Sequence, residues 1–177
     1  MIRMPPRRLL LIGPFPRDPS LVRGGVQASV FGLARAMMDR GWHVEVIAIP
    51  VKSEAPSRSE RSVIQGIPVH FLSLPFRNDI SAILHAGRVL RRVLGDGDQI
   101  VHVHGTGVVQ AIALCAQRAA RRRAIWTLHG ITAKETQNVY RNRSTLSNAM
   151  RWGLYSALEY LRMRAASRLI VDTPYVA

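Results

Sequence analysis

Two kinds of residue in this chain sit where they could do chemistry: a glycine pair that opens an amphipathic run, and histidines that precede glycine where an apolar run ends. Gly24-Gly25 follows the apolar run Leu9-Leu10-Leu11-Ile12 across a loop and leads at once into amphipathic residues 26–40. A helix that begins there has unpaired N–H groups and a partial positive charge, and two glycines let an anion come close to that backbone. A phosphate suits such a place, although an ordinary turn uses the same residues. His104-Gly105 closes the run 100–104, and His129-Gly130 follows the run 124–128. A neutral imidazole offers one donor and one acceptor near physiological pH, and the glycine after it leaves the backbone open to a ligand.

Other chemistries find less support in the same residues. His102 and His104 fall on one face of a strand, as two metal ligands would, but no nearby carboxylate or thiolate completes a ligand set. No metal is expected, and His102 reads as a packed or capped side chain. No Gly-x-Gly-x-x-Gly follows the first strand, and Ile49-Pro50 stands where a dinucleotide site would need an acidic residue, so no cofactor is expected. Gly-Lys-Ser/Thr and Gly-x-Ser-x-Gly are both absent, which removes support from kinase, NTPase and hydrolase readings.

The elements that must position these residues alternate. Residues 9–12 read as a buried strand, and 26–40 as a helix with Val26, Val30, Leu33, Ala34, Met37 and Met38 on its apolar side, closed by Gly41. Strands follow at 43–49 and 67–72, separated by a polar, Pro- and Ser-containing surface loop at 50–61. Asp79 caps a helix at 80–94, a strand occupies 100–104, and a helix runs from Thr106-Gly107 to about residue 123. A strand at 124–128, a long helix at 147–166 and a strand at 168–172 complete the pattern. Strands and helices in this order imply right-handed βαβ units: a Rossmann-like α/β fold, an open parallel sheet with helices on both faces. Ligands of such sheets bind beyond the carboxyl ends of the strands, where Gly13-Pro14-Phe15, His104, His129 and Thr173 stand.

Composition sets the outer bounds. The chain has 177 residues, 47% hydrophobic, enough to bury one core as a single domain. Its one cysteine, Cys115, has no internal disulfide partner and reads as a small core residue in a reducing, cytoplasmic setting. The apolar run after the basic N-terminus is too short for a signal peptide or a membrane span. The formal net charge is +14, with lysine only at Lys52 and Lys134, and arginine suits bidentate contact with phosphates. Nucleic acid, anionic lipid and a phosphorylated substrate are the acidic partners this suggests, beside a plain preference for arginine. Residues 80–94 and 149–166 both read as basic amphipathic helices, the second with Trp152, Leu154, Tyr155, Leu158 and Leu161 beside Arg151, Arg162 and Arg164. Either could face an anionic membrane, or simply the core. Arg118, Arg121, Arg122 and Arg123 favour nucleic acid, but no aromatic-basic interleaving accompanies them.

Four strings in register resemble a known family. Gly13-Pro14-Phe15-Pro16 with Gly24-Gly25 and the helix after it, then Arg40-Gly41-Trp42-His43-Val44, is similar to the opening of a family 4, retaining, GT-B glycosyltransferase. Ile100-Val101-His102-Val103-His104-Gly105, Trp126-Thr127-Leu128-His129-Gly130 and the string from Ala166 to Thr173 follow in that family's order. The resemblance covers essentially the whole chain and implies the acceptor-side domain of an enzyme that moves a sugar from a nucleotide-sugar to a glycan, a lipid-linked acceptor or a small molecule. It implies that Gly24 and Gly25 approach the donor pyrophosphate, that His129 contacts the transferred sugar as a catalytic residue, and that His104 and Thr132 line the acceptor side.

Such enzymes carry a second, donor-binding domain with a basic residue and paired glutamates, and this sequence stops at Ala177. The expectations are therefore a half-enzyme that is inactive without a C-terminal domain or partner subunit, cytoplasmic, with peripheral contact at the inner face of a membrane. The alternatives are a basic α/β nucleic-acid-binding module and a non-catalytic remnant of the fold.

Overall fold

The computed structural model describes residues 7–49, 58–73, 88, 90, 99–105, 108–119, 122–129 and 146–171. Seven strands form one sheet in the order β3-β4-β2-β1-β5-β6-β7. They are β1 (Arg8–Gly13), β2 (His43–Ala48), β3 (Glu60–Ile64), β4 (Ile67–Phe71), β5 (Gln99–His104), β6 (Ala124–Leu128) and β7 (Arg168–Val171). All neighbours run parallel except β3, which pairs antiparallel with β4. The expected Rossmann-like α/β sheet is present, with one strand more than the sequence pattern implies. The loop expected at 50–61 gives way to β3 at Glu60, and its residues 50–57 lie outside the described residues, as does nearly all of the helix expected at 80–94.

Apolar content explains the central strands. Leu9 through Ile12 are all buried, as a parallel strand covered on both faces requires. One face of the sheet packs Leu9, Leu11, Val44, Val46, Val69 and Phe71 against α1 (Gly25–Asp39) through Val30 and Ala34. The other packs Leu10, Ile12, Val101, Val103, Ala124 and Trp126 against α2 (Val108–Ala119) and α3 (Leu146–Ala165). Helices therefore cover both faces. Gly41 ends α1 in a left-handed turn (φ 78°), with its amide on Met38 O and the Trp42 amide on Met37 O, a Schellman closure. Gln65 and Gly66 both have positive φ, so the β3–β4 hairpin turns through the two-residue geometry that suits strand twist.

Two side chains depart from the sequence expectation. Cys115 is exposed rather than in the core. The buried side of α2 runs through Gln110, Ala113, Leu114 and Gln117, and a residue one step past Leu114 is turned about 100° away at 3.6 residues per turn. Arg162, expected on the basic face of the last helix, is fully buried, its guanidinium 5.7 Å from the Trp126 ring centre, while Leu161, Tyr160 and Met163 face solvent. None of the Arg162 guanidinium nitrogens has a hydrogen-bond partner. Burial lowers its pKa, and the charge of Glu159 one turn back partly offsets this.

A buried cation without acceptors contributes little that a well-packed apolar side chain would not. The double change Arg162→Met, Glu159→Gln is therefore expected to hold stability or raise it by on the order of 1 kcal/mol in thermal melts. A loss beyond about 2 kcal/mol would show that the guanidinium makes a net favourable contact. At the far edge of the sheet, β7 leaves Leu169 and Ile170 exposed by 45% and 44%, one on each side of the strand.

Candidate functional site

From β1 the sheet grows outward through β2 and β4 on one side and through β5, β6 and β7 on the other. The strand order thus reverses between β1 and β5, and the crevice at their carboxyl ends is where open α/β sheets bind ligands. Gly13 ends β1, His104 ends β5 and His129 follows the last residue of β6. Leu11 pairs with His102, and His104 with Thr127. Alternation along the strands then puts Gly13, His102, His104 and Thr127 on the face that α1 covers.

His129 turns to the same side. Its Nε2 lies 3.0 Å from Nδ1 of His104, with the rings stacked 5.3 Å apart. His102 stands behind, its ring 4.3 Å from that of His104 and its Nε2 2.7 Å from the Thr127 hydroxyl. Three imidazoles thus form a column from the buried sheet to its edge. Desolvation by burial pushes His102 down to about 4, helped by the charge His129 would carry. It pushes His104 down to about 3, with His102 and His129 adding to the effect. Both stay neutral at physiological pH. Among the described residues no three His, Cys, Asp or Glu side chains converge as metal ligands.

The column is held from several sides. A Cβ built on Gly13 would lie 2.9 Å from His104 Cβ and 3.3 Å from its carbonyl oxygen, so β1 approaches β5 here as only glycine permits. Gln110 Nε2 of α2 donates to the His104 carbonyl at 3.4 Å, and Trp126 Nε1 donates to the Gly105 carbonyl at 3.0 Å. Sequence reasoning places Gly13 at the edge but misses this packing role, whose signal is a glycine ending a strand otherwise made of large apolar residues.

The amino end of α1 lies at the same edge, because a right-handed crossover runs its helix antiparallel to the strands. Gly24 is its N-cap, with φ 91° and ψ 160°, a conformation glycine alone adopts readily, and it offers no side-chain cap. Nothing lies within 4 Å of a Cβ built on Gly24 or Gly25. Gln27, buried at the third helical position, accepts from the Arg23 amide at 2.6 Å. Its position three residues past the cap was the available signal, since glutamine there completes capping boxes. The preceding loop is pinned by buried Phe15, edge-to-face with Phe31 at 5.6 Å, and by Arg17, which pairs with Glu60 at 2.7 Å and lies over the Phe71 ring.

The structure thus brings Gly24, Gly25, His104 and His129 to one edge and one face. Thr132, Gly130, Thr106-Gly107 and the exit at Thr173 lie outside the described residues. A cavity of about 440 Å³ lies on the opposite face, lined by Glu45, Arg61, Val63, Pro68 and His70, and takes in none of these groups.

A doubly wound sheet with a glycine-capped helix and paired histidines at its switch point defines the class: a Rossmann-like α/β domain with a ligand crevice at the carboxyl ends of its strands. The chain belongs to glycosyltransferase family 4, whose family model matches residues 23–177. A comparison with curated proteins finds no significant match. Among solved structures, a protein described as a UDP-N-acetylglucosamine 2-epimerase from Listeria monocytogenes superposes with a TM-score of 0.55 at 15% identity, over 97% of this chain and 40% of that one. An α,α-trehalose-phosphate synthase (UDP-forming) from Burkholderia vietnamiensis gives a TM-score of 0.55 at 10% identity, over 96% of this chain and 41% of that one. At such identity the likeness is one of fold, and this chain spans about two fifths of each neighbour's length.

Proposed function

We propose that this chain is the acceptor-side half of a retaining glycosyltransferase that moves a sugar from a nucleotide-sugar to a glycan, lipid-linked or small-molecule acceptor, completed by a donor-binding domain or partner subunit. The observation that carries this reading is the convergence of the glycine-capped amino end of α1 and the His104–His129 pair on one edge of the sheet. Backbone amides at Gly24 and Gly25 suit a pyrophosphate, and the imidazole edge of His129 suits a sugar hydroxyl. Thr132 belongs to the acceptor side, and buried His104 acts there only through His129. Leaving-group stabilisation falls to the second half, so this chain alone binds weakly and does not turn over. The names of both structural neighbours involve UDP, which makes UDP and UDP-glucose the natural probes.

The positive surplus of +14 belongs to the same reading as contact with an anionic membrane surface from the cytoplasmic side. No helix among the described residues is long and apolar enough to cross a membrane. A nucleic-acid module is less supported, because Arg118, one of the arginines that suggested it, donates instead to the Arg164 carbonyl at the end of α3.

Gly25→Ala separates binding from folding. The position is the first residue of a helix with open space around it, so alanine is expected to leave stability unchanged or raise it by about 0.4–1 kcal/mol. The added methyl would keep an anion off the backbone. In amide NMR titrations with UDP, the unmodified chain is expected to shift at residues 24–27 with a Kd on the order of millimolar, about −4 kcal/mol. Gly25→Ala should lose that shift, and His129→Ala should lose only the further effect of UDP-glucose over UDP. Shifts confined to other residues, or tighter and steeply salt-dependent binding of a DNA duplex, would overturn the assignment.

A further inference from the structure

We propose that His104 is a positioning residue for His129, holding the neighbouring imidazole in its neutral Nδ1–H form and so fixing which edge of that ring donates and which accepts. The geometry stands by itself; its use in sugar recognition rests on the function proposed above.

One hydrogen lies between His104 Nδ1 and His129 Nε2, 3.0 Å apart. Were His129 the donor, His104 would carry its own hydrogen on Nε2. That atom is buried without a partner, in a residue 3% exposed, and would become an orphaned N–H. With His104 as donor, the unmet atom is only a bare lone pair. Buried N–H groups without acceptors are the rarer and less tolerated of the two. An imidazolium at His104 would let both nitrogens donate, but desolvation, with His102 and His129 beside it, pushes its pKa down to about 3. His104 therefore gives the hydrogen, His129 accepts at Nε2, and the neutral His129 bears its own hydrogen on Nδ1.

The donor cannot turn away. Gly13 brings β1 against His104 Cβ, and the ring of His102, anchored on Thr127, stacks behind it. The neutral form of His129 consequently carries its N–H on the Nδ1 edge. An N–H on that edge suits the lone pair of a hydroxyl, ether or carbonyl oxygen rather than a second donor.

Long-range proton–nitrogen NMR of the imidazoles in the ligand-free 177-residue chain at neutral pH reads the tautomer directly. Among the neutral His129 rings the Nδ1–H form is expected to predominate. His104→Phe should raise the Nε2–H share of the neutral rings, because the hydrogen of His104 no longer occupies that edge. His104→Asn, whose amide N–H takes the place of Nδ1–H, should restore the original tautomer. His129 found as Nε2–H in the unmodified chain, or unchanged in folded His104→Phe, would overturn the proposal. If the phenylalanine variant does not fold, the unmodified chain and His104→Asn decide it.

UDP-glucose titration of the same sample separates the two readings. The Nδ1–H form without any ligand shift at His129 keeps the positioning role and removes the sugar reading. A ligand shift with the Nε2–H form does the reverse.

Discussion

Acidifying this chain from pH 7 to pH 4 is expected to cost on the order of 5 kcal/mol of folding stability, a third or more of what a typical domain possesses. The cause is the buried part of the histidine column. His102 and His104 titrate near 4 and 3 in the folded chain, against an ordinary value of 6.5 that they recover on unfolding. Between those values the unfolded state binds more protons than the folded one, so stability rises with pH across the window. It is fully present above about pH 6.5 and is lost as the pH falls toward 3. A tenfold weakening of proton binding at one imidazole corresponds to about 1.4 kcal/mol, and both residues contribute nearly in full by pH 4.

Urea unfolding at pH 7 and pH 4 measures the loss as a drop in midpoint. His102→Gln and His104→Asn keep polar atoms near the original nitrogens but carry no titrating proton, so each should remove roughly half of the slope. An unmodified chain with equal midpoints at both pH values would show that the column is hydrated.

Gly13→Ala is expected to destabilise by about 2 kcal/mol, lowering Tm by roughly 4–8 °C. The new methyl would meet His104 Cβ at 2.9 Å, the His104 carbonyl oxygen at 3.3 Å and Val30 Cγ2 at 3.4 Å. The first two atoms are fixed by the backbone of β5 and cannot swing aside as the tip of a flexible chain would. The strands must separate, and the His104–His129 contact should loosen with them. The paired control is Gly25→Ala, equally a single methyl but set in open space. A Gly13→Ala chain melting within about 1 °C of the unmodified protein would mean that β5 yields easily, and that the register of His104 is not set by this approach.

Much of this arrangement was legible because buried parallel strands are written as unbroken apolar runs. Residues 9–12, 43–49, 100–104 and 124–128 each fall within a residue of β1, β2, β5 and β6 at either end. β3 was not legible for the opposite reason: as an edge strand it exposes Glu60 through Val63 and buries only Ile64, so it carries the polarity of a loop. Cys115 was misplaced because an apolar run in a helix does not state its own phase to within one residue. Arg162 was misplaced because nothing local reveals that Trp126, 36 positions earlier in the sequence, offers its ring as a lid.

At the site, the sequence marked which residues stand at strand exits, and all of those in the described residues gather at one edge. It could not show that His104 and His129 share a hydrogen. That depends on β5 and β6 pairing so that His104 lies opposite Thr127, a long-range register that no short motif encodes.

The two outer strands of the sheet lead to different solution behaviour. β3 presents Glu60 and Arg61 at its start, charges that discourage another chain from adding to it. β7 presents Leu169 and Ile170 with only Arg168 beside them, so among the described residues it is the edge best suited to pairing with a copy of itself. The +14 charge opposes such pairing, a repulsion that reaches about 10 Å in 0.1 M salt and only about 3 Å in 1 M. Raised salt is thus expected to favour self-association through this one short strand.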